Sequence, residues 1–184
     1  MTAQLKNRPK VGILLVTNGK NGDYVAHLQM RGVHDYRKDC PQTWPGTYQV
    51  TVEGKKHQGE SNLEALRREL REELQQSAGE FVLKMLVGDG LKNDSILLHE
   101  EDIIIYQLLV PSDLFKNYGI YLENITGGLR PITREDVIGI RLVRPEWRTI
   151  IHPYSQNTII VKPHVKKALE ILFKRYPKPG KKKK

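Results

Sequence analysis

The chain has little that covalent or membrane chemistry could use. Among its 184 residues there is a single cysteine, Cys40, which excludes a disulfide framework within the chain and any paired-cysteine zinc knuckle. The longest apolar runs, Val11 to Val16 and Ile103 to Pro111, fall far short of the roughly 20 residues that cross a bilayer. No basic amino-terminal region leads into a long apolar stretch with a small-residue cleavage site, so a cytosolic location is expected. No repeat, low-complexity tract or Pro/Gly/Ser-rich linker divides the body. The expectation is one domain over residues 1–176 and a disordered basic tail over residues 177–184.

Charge is what the chain has in excess. Thirty Lys+Arg against 21 Asp+Glu give a formal +9. Seven of those thirty, and none of the acids, lie between Lys174 and the terminal Lys184, which leaves Met1 to Phe173 at +2. A run of that kind attracts nucleic acid or serves as a solubilising end. RNA therefore enters as a partner class through the tail alone.

Periodicity sketches an α+β chain. KVGILLVT at Lys10 to Thr17 and YVAHLQM at Tyr24 to Met30 read as a hairpin, and TYQVTV at Thr47 to Val52 alternates as a third strand. Strands are also expected at Phe81 to Val87, Ile103 to Val110 and Val137 to Val143, with a last helix over Pro163 to Tyr176. From Ser61 to Gln76 the period becomes helical, with Leu63, Leu66, Leu70 and Leu74 three or four apart. Ser61 followed by Glu64 is a capping-box pattern, in which hydroxyl and carboxylate satisfy amides of the first turn.

Beside the leucines of that helix stand Glu69, Glu72 and Glu73, within an arc of about 100° at ~100° per residue. Three carboxylates so placed repel one another unless cations neutralise them. Arg68 reaches Glu72 at i, i+4 but cannot serve all three. Hard cations such as Mg²⁺ or Mn²⁺ prefer such oxygen donors, and Mg²⁺ keeps waters that a phosphate can replace.

The segment GKKHQGESNLEALRRELREELQQ, Gly54 to Gln76, resembles the signature of the Nudix hydrolase family, Gx5Ex7REUxEExGU. Gly54, Glu60, Arg68, Glu69, Leu70, Glu72 and Glu73 match it, while Gln75 replaces the closing glycine and Gln76 the aliphatic residue after it. The resemblance implies an α/β/α sandwich with a mixed sheet. It implies that Glu69, Glu72, Glu73 and the Gly54 carbonyl hold Mg²⁺ or Mn²⁺. Arg68 would orient a carboxylate, and Glu60 would support the ligands or bind metal through water. The implied reaction is attack of water on a diphosphate in a nucleoside-diphosphate-type substrate, with Glu69 and Glu73 both candidates for the base. Acids before a later strand, Glu100, Glu101 and Asp102, are further contributors. Arg31, after the second strand, is a weaker candidate for the substrate phosphates, and Trp44, Tyr48 and Tyr121 for stacking on a base. The two glutamines keep a second reading open, a catalytically silent Nudix-fold module that binds nucleotide or RNA. Cys40 lies outside the strand leading to the signature, which disfavours the family's isomerase chemistry. The six histidines show no metal-binding spacing. Oligomeric state and substrate identity are not legible.

Overall fold

The computed structural model describes residues 8–19, 22–32, 34–35, 40–41, 43–74, 76–88, 93–114, 126–147 and 158–178. The apolar run β1 (Lys10–Asn18) is buried on both faces, as a central strand must be. Its odd residues Val11, Ile13 and Leu15 join one core, and Leu14 and Val16 join the other. On one side β1 runs parallel to β8 (Ile103–Leu109), which pairs antiparallel with β7 (Ile96–Glu100). On the other side the expected hairpin forms, Leu15 opposite His27 in β2 (Tyr24–Arg31).

The far ends of β1 and β2 diverge, and the chain returns between them. It pairs first with β2 through β5 (Tyr48–Gln49), then with β1 through β6 (Val52–Lys55). At the crossing the buried Thr51 hydroxyl accepts the Leu15 N–H at 2.9 Å and donates to the His27 carbonyl at 2.6 Å. One side chain thus satisfies two backbone groups that the splayed ladder leaves behind. β9 (Thr126–Ile132) pairs with β2, and β10 (Arg141–Leu142) and β11 (Ile160–Val161) extend the sheet from β5, with Val161 opposite Tyr48. The polar stretch after β2 contains a two-residue ladder of β3 (His34–Asp35) with β4 (Cys40–Pro41), which carries the half-buried Cys40.

Helix α1 (Asn62–Glu73) starts as its sequence dictates. The Ser61 side chain accepts from the Glu64 N–H, and Glu64 reciprocates on the Ser61 N–H. It packs with α2 (Gln76–Gly88) on the face holding Val11, Ile13, Val52 and Leu108. The last helix, α3 (Pro163–Arg175), covers the opposite face through Val165, Ala168, Leu169, Leu172 and Phe173. The result is the expected α/β/α arrangement around a mixed sheet.

Three local expectations are corrected. Phe81 to Val87 is helix, not strand: Val82, Leu83 and Leu86 take the core-facing spacing of α2, and an apolar run this short does not reveal its own period. Helix α1 does not continue to Gln76. Leu74 is extended (φ −109°, ψ 152°), and α2 turns back so closely that a side chain at Gly79 would put its Cβ 2.9 Å from the Leu70 carbonyl oxygen. Gln75 lies outside the described residues. Val137 to Val143 is a 3₁₀ turn, Glu135–Gly139, followed by the two-residue β10. There Asp136 accepts from both the Thr133 N–H and hydroxyl, which folds the chain over, and Ile138 points to solvent. The sequence pattern predicts no strand at β3, β4, β7, β9 or β11. No helix among the described residues is long and apolar enough to cross a membrane.

Candidate functional site

The signature residues meet where β6 passes under α1. Glu69 and Glu73, one turn apart, are both buried, at 7% and 9% exposure, while Glu72 stands at the rim. Gly54 has no freedom to carry a side chain. A Cβ there would fall 1.8 Å from the Glu69 Oε1, so the glycine is a requirement of close approach. Arg68 gathers the loop and helix: it donates to both Glu60 oxygens at 3.0 and 3.1 Å, to Glu69 at 2.5 Å and to the Lys55 carbonyl at 2.8 Å. Glu72 stands 3.5 Å from the same guanidinium. Glu60 also accepts the His57 N–H at 2.7 Å. Held by the Arg68 guanidinium and that amide, its carboxyl is pulled down to about 2.

Glu73 has the opposite electrostatics. Burial, with neighbouring Glu69 next in weight, pushes its carboxyl well above the usual range, although the Glu53 N–H donates to it at 3.3 Å. Two buried acids, one of which resists ionisation because it is buried beside the other, make a donor set suited to a hard cation. The Glu69 carboxylate fills the space that a side chain at Gly54 would take, which brings it against the β6 backbone. Among the described residues, no three acidic, histidine or cysteine side chains already converge as a formed metal cluster.

Arg31 lies on the same side of the sheet, near enough for its charge to act on Glu73. It is fixed by donating to the Thr43 carbonyl at 2.8 Å and to Gln49 Oε1 at 2.6 Å, while Gln49 donates to Gln29 at 2.5 Å. Trp44, in the turn Arg31 holds, adopts a positive φ of 53°. Thr47 donates to the Trp44 carbonyl through its hydroxyl at 2.7 Å and its N–H at 3.3 Å, stabilising this strained backbone.

Sequence reasoning missed a second cluster, centred on Glu53, one residue before the signature. Its buried carboxylate meets Lys10 at 3.4 Å, Lys162 at 3.3 Å and His164 at 3.0 Å. Burial pulls its proton affinity up, but Lys162, His164 and Lys10 outweigh that and hold it well below the usual range. Lys162 and His164 are 109 and 111 residues away in sequence, and no local pattern links them. The strand pairing of β11 with β5 brings them in.

Other candidates lie on other elements. Glu100 is bound to Lys167 of α3 at 2.6 Å, and Glu101 and Asp102 form the exposed β7–β8 turn. Tyr48 packs in the α3-side core, Cys40 is in the short β3–β4 ladder, and Tyr121 lies outside the described residues.

The chain is similar to several solved structures at low identity. The Nudix domain of Shewanella oneidensis NrtR, complexed with ADP-ribose, is 13% identical, with 96% of this chain and 91% of that one covered and a TM-score of 0.49. A mutT/nudix family protein from Listeria innocua is 14% identical, with coverages of 95% and 98% and a TM-score of 0.47. An Ap4A hydrolase from C. elegans is 12% identical, with coverages of 71% and 82% and a TM-score of 0.40. No curated protein matches in sequence. The family model of the NUDIX domain matches residues 6–147, well over half of the chain, and that span holds Gly54, Glu60 and the Arg68–Glu73 carboxylate helix: the chain belongs to the Nudix hydrolase family.

Proposed function

We propose that this chain hydrolyses a diphosphate linkage in a nucleoside-diphosphate-type substrate, with Mg²⁺ or Mn²⁺ bound by Glu69, Glu72, Glu73 and the Gly54 carbonyl. The observation that carries the reading is the buried Glu69–Glu73 pair, in which Glu69 lies against Gly54 and accepts from Arg68. The bound metal would neutralise phosphate oxygens and lower the pKa of water.

The remaining work falls to the chain's own groups. Arg68 donates to Glu69 and fixes its direction, and Glu60 holds Arg68, so neither loop nor helix needs to reorganise when substrate arrives. Of the two base candidates, Glu69 is engaged by the guanidinium. Glu73 accepts the Glu53 N–H, and both carboxylates stay candidates for the proton acceptor from the attacking water. Arg31, anchored by Gln49, faces the carboxylates with a fixed positive charge suited to a substrate phosphate.

A panel of nucleoside diphosphate derivatives, assayed with Mg²⁺ and with Mn²⁺, tests the reading. Glu73→Gln and Glu72→Gln should each lower kcat by at least about 100-fold, the scale of lost acid–base and metal contributions. Full activity in both variants would overturn the site assignment.

A further inference from the structure

Where the edge strand β7 ends, β8 runs on. Ile96 lies opposite Tyr106, so Gln107, Leu108 and Leu109 extend past β7, and a cavity of about 550 Å³ opens beside them. Small-molecule clefts have volumes of this order. The cavity is remote from the signature: Gly54 pairs with Val11 of β1 and Leu109 with Val16, five residues further on, which is roughly 16 Å along the strand. Leu86 near the end of α2, Leu108 and the half-exposed Leu109 give it an apolar wall. Its polar wall includes Asp94, in the 3₁₀ turn Asn93–Ser95, together with Gln107, Arg175 and Tyr176.

These polar groups are held in place yet only partly used. Tyr176 stacks on Tyr24, with ring centroids 4.2 Å apart, and its hydroxyl accepts from the Gln107 amide at 2.9 Å. The Gln107 oxygen is buried without a hydrogen-bond partner, which is rare in a folded protein. Arg175 donates to the Asp94 and Ile96 carbonyls, both at 3.1 Å, so its guanidinium is tied to the backbone of the turn. It does not pair with the Asp94 carboxylate, and neither side chain forms an ion pair with any other group among the described residues. One anchored cation and one anion, both unpaired beside an apolar wall, complement a molecule that carries both charges itself. A phosphate would meet like charge at Asp94, whereas a zwitterion matches both groups. We infer that this cavity binds an α-amino acid with an apolar side chain, its carboxylate on Arg175, its ammonium on Asp94 and its side chain against Leu86, Leu108 and Leu109. The binding uses no residue of the signature and does not rest on the hydrolase reading.

L-Phenylalanine and L-leucine are the probes, titrated onto the full chain by calorimetry. Two analogues of the first each lack one charge: phenethylamine has no carboxylate and hydrocinnamate no amino group. The wild type should bind L-phenylalanine about tenfold more tightly than either analogue, the scale of one charge-assisted hydrogen bond. Arg175→Gln should weaken L-phenylalanine and hydrocinnamate about tenfold and leave phenethylamine unchanged. Asp94→Asn should weaken L-phenylalanine and phenethylamine and leave hydrocinnamate unchanged. Both side chains are exposed, and thermal melting of each variant reads folding separately. Absence of binding by either amino acid at millimolar concentration, or binding that both variants leave intact, would overturn the inference. Tighter binding of adenosine monophosphate than of the amino acids would overturn it too, and would make the cavity a nucleotide site.

Discussion

Gly54 and Arg68 show how much a single residue decides here. The glycine is needed because the Glu69 carboxylate occupies the space of its missing side chain, not because the backbone is left-handed. Gly54→Ala would place a methyl 1.8 Å from Glu69 Oε1, so the carboxylate must leave and its 2.5 Å bond from Arg68 must break. The expected outcome is a loss of hydrolysis of about 100-fold or more with a stability cost of about 1–3 kcal/mol, read by steady-state kinetics and urea unfolding. Retained activity would mean that Glu69 is not required in its present position. These residues were legible in the sequence because the signature is local: Gly54, Glu60 and the helix acids lie within 20 positions, and the α-helical repeat sets the mutual placement of the acids on α1. Glu53 was adjacent and still missed, since its role depends on Lys162 and His164.

At the scale of elements, the site is built by a strand that changes partner. Between β5 and β6 the chain crosses from β2 to β1, and Thr51 closes the gap with one hydroxyl. Thr51→Val keeps the shape but strands the Leu15 N–H and the His27 carbonyl in the interior. A loss of about 1–3 kcal/mol is expected in denaturant unfolding, the usual cost of an unsatisfied buried group. A loss below a few tenths would show that the crossing does not depend on this bridge. The capping box of α1 was readable because it is written in four consecutive residues. The turn from α1 into α2 was not, because Gly79 matters only through its contact with the Leu70 carbonyl.

For the whole molecule, the pH dependence of folding carries a test of the buried polar face. His27 is buried, its Nε2 2.9 Å from the Thr17 hydroxyl, and burial lowers its pKa from 6.5 to about 4. Between those values the unfolded chain takes up a proton that the folded one refuses. Its contribution is therefore present above pH 6.5 and lost as pH falls toward 4, on the order of 3 kcal/mol in all. Glu73, raised in the fold, works in the opposite sense and gains stability on acidification. The two separate by comparison of unfolding free energies for the wild type and His27→Gln across pH 7.5 to 4.5. The wild type should lose more stability over that range than the variant, and parallel curves would show that His27 is not buried neutral. The +9 of the whole chain says little about this interior, since most of the surplus lies after Phe173.

Neighbouring residues alone encode the hairpin of β1 and β2, the capped helix, the carboxylate arc and the glycine before it. Even the identity of the family follows from those residues, because metal chemistry needs its donors at fixed helical offsets. Only the tertiary structure decided that Phe81 to Val87 coils rather than extends, since its apolar run serves either period until α1 supplies a surface to pack against. The same holds for the cluster around Glu53. Lys162 is an ordinary lysine before a proline until β11 pairs beside β5 and carries it across 109 residues to Glu53. Opposite charges separated so far in sequence leave no periodic trace, and the sheet alone brings them within reach.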